Sequence, residues 1–140
     1  MAIRQLSVFV DNKKGSLHEI TDTLARSGID LRSMCVADTS DFGIVRIITK
    51  EPERAAEILK AEGHAANVRE VVAFAVPDTP GGLAKVLNLL ESKGENIEYM
   101  YALVTSRIGS AFTVMRTDDT AATEATLTAA GIEVLDEQHI

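Results

Sequence analysis

Leu6, Val8 and Val10 recur at every second position, and the spacing then changes to three and four at Leu17, Ile20 and Leu24. Alternation puts every second side chain on one face of a strand, and the wider spacing puts them on one face of a helix. The same switch recurs at Val72, Phe74 and Val76, followed by Leu83, Val86, Leu87 and Leu90. Gly28 and Gly94 follow the two helical stretches as stops. Second strands are expected over 30–38 and 96–104, turns at Thr39-Ser40-x-x-Gly43 and Thr105-Ser106-x-x-Gly109, and third strands near 44–49 and 111–116. Pro52, a residue favoured in a first helical turn, opens a second helix containing Ala55, Ala56, Ile58 and Leu59, and 121–130 matches it before Gly131. Short strands near 65–69 and 132–136 close the two series.

Both series are copies of one unit. Shifted by 66 places, Gly15-Ser16-Leu17 falls on Gly81-Gly82-Leu83, Val10 on Val76, Leu24 on Leu90, Gly28 on Gly94 and Met34 on Met100. The order βαββαβ, twice, predicts an α+β protein of two tandem ferredoxin-like modules, residues 1–69 and 70–140, each an antiparallel sheet with helices on one face. Nothing rich in Gly, Pro or Ser separates the copies, so the modules are expected to hold a fixed relative position.

Composition narrows the classes of function. The chain has 140 residues, 46% hydrophobic and 25% charged, with a mean hydropathy of +0.07, enough apolar content to fold. Modules this small have limited cores, and a homo-oligomer, a dimer first of all, is expected to add buried surface. A net charge of −7 and a pI near 4.9 disfavour nucleic acid, whose binding rests on neutralising phosphates. No stretch approaches the roughly 20 apolar residues of a membrane span, so no membrane partner is expected. Cys35 is the sole cysteine, which fits a reducing cytoplasm, and His18, His64 and His139 lie too far apart in sequence to suggest a metal site. There is no nucleophile elbow and no phosphate loop around Gly81-Gly82. Neither a catalytic residue nor a cofactor is expected.

Two polar elements repeat. The first is the turn between first strand and first helix, with Asn12, Lys14, Gly15, Ser16 and Leu17 in one copy and Asp78, Pro80, Gly81, Gly82 and Leu83 in the other. Free N–H groups at a helix start can hold a carboxylate, and glycine lets a ligand approach the backbone. A plain strand-to-helix turn explains the same residues. The second element is the polar residue after the helix stop, Asp30 before Leu31 and Asn96 before Ile97. Its side-chain oxygen can accept from an ammonium group, or close an Asx turn. Together the two elements suit a zwitterion.

The pattern strand, N-x-[PK]-G-x-L, helix, G-[IV]-[ND]-[IL], strand resembles the ACT domain, the regulatory module of amino-acid metabolism, and the resemblance covers nearly the whole chain twice. It implies modules joined side by side through their second strands, with a free amino acid bound between the first loop of one and the second strand of its neighbour. On that pattern Asn12 would face Asn96, and Asp78 would face Asp30. The first copy has Lys14 where the second keeps Pro80, so the two sites are expected to differ. Ser40, Asp41 and Phe42 are candidates for a ligand wall or a simple hairpin, and Tyr99 and Met100 for pocket lining or packing. Two functions fit: an amino-acid sensor, or a protein–protein regulatory module with no small ligand.

Overall fold

A computed structural model of the chain describes residues 2–38, 41–104 and 107–140. Its strands are β1 (Ile3–Asp11), β2 (Ser33–Asp38), β3 (Phe42–Ile48), β4 (Ala65–Pro77), β5 (Ile97–Leu103), β6 (Ser110–Thr117) and β7 (Glu133–Leu135). The helices are α1 (Ser16–Arg26), α2 (Pro52–Ala61), α3 (Gly82–Ser92) and α4 (Thr120–Ala129). Two compact units divide between Arg69 and Glu70, inside β4.

In the first unit the strand order is β2-β3-β1-β4. Leu6 and Val8 leave no surface exposed, nor do Val45 and Ile47 from β3, Ile20 and Leu24 from α1, and Leu59 from α2. The sequence periodicity therefore selects one sheet face and two helix faces that close on one core. Complete burial of a leucine such as Leu24 stabilises the fold by about 1.5–3 kcal/mol. Pro52 opens α2 at a position where a missing N–H costs nothing. Gln5 and Ser7, also buried, point to the opposite sheet face, where the Gln5 amide donates to the Ser7 hydroxyl at 2.9 Å.

The second unit repeats the plan with the order β7-β4-β6-β5. Its core gathers Val72, Phe74, Val86, Leu90, Met115 and Leu127. The side chain of Asp119 caps α4 by accepting from the Ala122 N–H at 3.0 Å. Glu95 accepts from Thr123 at 2.7 Å and from Thr126 at 2.8 Å, tying the segment before β5 to α4.

Several expected boundaries move. β2 starts at Ser33, so Asp30 and Leu31 precede the strand. The Ile29 N–H is held by the Leu24 carbonyl at the helix end, and β3 is first met by the Arg32 N–H, at 2.8 Å from the Ile48 carbonyl. β3 starts at Phe42 and includes Gly43, which the sequence placed in a turn. Its counterpart Gly109 does lie in a turn, at φ 85°. The reason is a two-residue difference between the hairpins: Val10 pairs with Gly43, whereas Val76 pairs with Ala111, not Gly109. The copies thus agree in their first halves and fall out of register after the second strand.

Candidate functional site

The two first loops share one hydrogen-bond pattern. In the first, the Asn12 N–H donates to the Asp41 carbonyl at 3.1 Å and the Lys13 N–H to the Asp11 carbonyl at 2.9 Å. In the second, the Asp78 N–H donates to the Gly109 carbonyl at 3.0 Å and the Thr79 N–H to the Pro77 carbonyl at 2.9 Å. Each loop ends on a glycine in the left-handed region, Gly15 at φ 89° and Gly81 at φ 82°, and neither helix start carries a side-chain cap. That conformation costs glycine little and strains other residues.

The N–H groups of Leu17 and His18, and likewise of Leu83 and Ala84, meet no acceptor among the described residues. Such groups are unsatisfied donors at the positive end of a helix dipole, which suits a carboxylate. Gly82 is fixed by sterics as well: a Cβ there would lie 2.4 Å from the Pro77 carbonyl oxygen. Ser16 occupies the corresponding place in the first loop.

The remaining sequence candidates are scattered over several environments. Asp30 is exposed, its carboxylate 3.6 Å from the Arg32 guanidinium. Asn96 is exposed just ahead of β5. Leu31 packs on the first core, and Leu83, Ile97 and Met100 on the second. Tyr99 stacks with Tyr101, the ring centroids 6.5 Å apart. Lys14 and Asp41 are exposed. Ser40 lies outside the described residues.

Each unit also contains a recess that the sequence did not disclose, between the end of its first strand, the start of its first helix and the turn leading to its last strand. In the second unit the recess is about 580 Å³ and is mainly apolar, with Val76, Val86, Leu89 and Ile132 in its walls and Lys85 near the helix start. Pro80 and Gly82, two of the sequence candidates, line it. The first unit's recess is about 540 Å³ and includes Ser16 and Phe42 together with Glu19, Glu62 and His64. Both volumes fall in the range of small-molecule sites. Residues from the last turn, around Gly63 and Gly131, were missed because their counterparts align only when the shift changes from 66 to 68.

Glu133, also in the second recess, is held by Arg107 through bonds of 3.2 and 2.7 Å. These bonds keep the Glu133 carboxyl below the usual glutamate value. Because the folded value is depressed, the pair's contribution to stability is present above the unfolded glutamate value and is lost as pH falls through the folded one. Arg107→Ala is expected to raise the Glu133 value toward that of a free glutamate, as followed by a carboxyl-detected NMR titration. An unchanged titration would show that the ion pair does not hold the carboxylate.

Among the described residues no group of three or more His, Cys, Asp or Glu side chains is placed to hold a metal ion. No described helix is long and apolar enough to cross a membrane.

Two consecutive ferredoxin-like units, each with an uncapped helix start after a glycine turn, define a tandem-repeat α+β protein. The chain belongs to the ACT domain pair family, whose model matches residues 1–140. It is similar in structure to a protein from Bacteroides thetaiotaomicron, with 38% sequence identity and a TM-score of 0.89, over 96% of this chain and 92% of that one. It also shares its fold with the regulatory subunits of aspartate kinase from Thermus flavus and Thermus thermophilus. The former has 22% identity and a TM-score of 0.68, the latter 20% and 0.66, each over 91% of this chain and 90% of that one. No protein of curated function matches the chain.

Proposed function

We propose that this chain is a regulatory protein that senses a free amino acid and performs no chemical step of its own. The observation that carries the reading is the pair of uncapped helix starts, on Gly15 and Gly81, with unsatisfied N–H groups at Leu17, His18, Leu83 and Ala84. In this reading the ligand carboxylate lies on those amides, and its ammonium group meets Asp30 or Asn96 from the second-strand side of a paired module. Membership of the ACT domain pair family supports it. The protein acts as a cytoplasmic homodimer, and ligand changes the packing of modules in proportion to its preference for one arrangement.

A metabolite sensed at about 0.1–1 mM requires only about 4–5.5 kcal/mol of binding free energy. A few charge-assisted hydrogen bonds supply that much. At 10 mM, the cognate amino acid among the twenty is expected to raise the melting temperature by about 5 °C or more. Asp30→Ala and Asn96→Ala are each expected to weaken one of the two sites. A flat screen would favour regulation by protein contact alone, and unchanged affinity in both variants would reject the ammonium role.

A further inference from the structure

The recess of the second unit combines apolar walls with one unanswered positive charge. Gly82, Val86 and Leu89 follow one another at helical spacing, so a single face of α3 turns toward the recess. Val76 closes it from the end of β4, Ile132 from the turn after α4, and Pro80 from the loop before α3. Lys85 belongs to the same helix face, is exposed, and has no ion-pair partner among the described residues.

Glu133 does not answer that charge. It pairs with Ala75, next to the pair formed by Val134 and the core residue Phe74, so its side chain leaves the sheet on the face away from α3. Arg107 holds it there, with the guanidinium also 4.5 Å over the ring of Phe112. No other carboxylate among the described residues lines the recess. Thr79 and Ser110 add two hydroxyls, each able to donate to an anion. The start of α3 contributes roughly half a positive charge at the same end. The first unit is the contrast: at the matching positions Asp11, Glu62 and His64 stand where the second has Pro77, Ala130 and Ile132, and Glu19 stands where it has Lys85. The second recess is thus apolar where the first is polar, and its helix carries the opposite charge.

We propose that this recess binds a small carboxylate with an aliphatic or aromatic body and no ammonium group. The carboxylate accepts from Lys85 Nζ, with the Thr79 hydroxyl, beside Gly82, as a second donor. The body lies against Val76, Val86, Leu89 and Ile132, in a volume of about 580 Å³ that admits a molecule of this size. An ammonium group would meet no free carboxylate here, so an amino acid would lose hydration of its ammonium without recovering it. The site therefore belongs to the second unit alone. It takes no residue from a second strand and does not rest on the amino-acid reading.

Calorimetric titration of the full chain with isocaproate and hydrocinnamate, the desamino forms of leucine and phenylalanine, each against its neutral amide, tests this directly. At least one acid is expected to bind with a millimolar or lower Kd, and about tenfold or more tighter than its amide. Lys85→Glu, at an exposed position, gives the helix the charge of its counterpart and is expected to weaken that acid at least about tenfold. Leu89→Thr, which copies Thr23 of the first unit, is expected to weaken it severalfold through the apolar wall. Asp30→Ala and Asn96→Ala are expected to leave it unchanged, so failure of this site and of the amino-acid site are read separately. Absence of heat from both acids at about 10 mM would overturn the proposal. So would an amide that binds as tightly as its acid, or acid binding that persists in Lys85→Glu. Acid binding lost in Asn96→Ala would assign the acid to the amino-acid site and overturn the proposal as well.

Discussion

Phe74→Ala is expected to destabilise the protein by about 3–5 kcal/mol, the range for removing a fully buried aromatic side chain. Phe74 leaves no surface exposed. It sits in β4, opposite Thr113 of β6 on one side and Val134 of β7 on the other. Its ring packs in the core with Val86, Leu90, Met115 and Leu127. Truncation removes the ring's transfer free energy and leaves a cavity that two strands and two helices cannot collapse to fill. Denaturant unfolding should show a lower midpoint for the variant with its slope unchanged. Phe9→Ala, at a 45% exposed position, is expected to cost less than about 1 kcal/mol. Equal costs for the two would contradict the packing described here.

Gly82→Ala is the second large effect, for the opposite reason. The added Cβ would lie 2.4 Å from the Pro77 carbonyl oxygen, a backbone atom with no rotamer to move aside. The loop must shift, at an expected cost of about 1–3 kcal/mol. The shift would also move the N–H groups of Leu83 and Ala84, so binding at this helix start should weaken along with stability. Ser16→Ala, at the same place in the first loop, is expected to stay within about 0.5 kcal/mol of the parent. Denaturant midpoints of both variants provide the measurement, and a Gly82→Ala protein as stable as Ser16→Ala would rule out the steric constraint.

Much of the architecture was legible because it rests on local spacing. Leu6, Val8 and Val10 declare a strand, Leu17, Ile20 and Leu24 a helix, and the glycine after each helix a stop, whatever the rest of the chain does. The repeat then carried the reading from one half to the other. It misled where the copies differ: two additional residues between β5 and β6 leave Gly109 in a turn while Gly43 joins β3. Alternation also extended the second strand back to Asp30, although the carbonyl of Leu24 still holds the Ile29 N–H there and pairing with β3 has not begun.

The candidate sites divide in the same way. Gly15, Gly81 and Gly82 were identifiable from the sequence, since a glycine in a strand-to-helix turn points to a backbone that other residues strain. The two recesses were not. His64 and Glu19 are separated by 45 positions and Arg107 and Glu133 by 26, and each pair meets only in the folded unit, where α1 lies beside the turn into β4 and the turn before β6 lies beside β7.

The sequence by itself determined the two modules, the order of their elements and the glycine turns that open each first helix, because periodicity and backbone conformation are properties of neighbouring residues. Only the tertiary structure decided that one recess would be acidic, with His64 beside Glu19, and the other mainly apolar. Those characters depend on side chains from distant segments converging, and on which of their charges already have partners once they do.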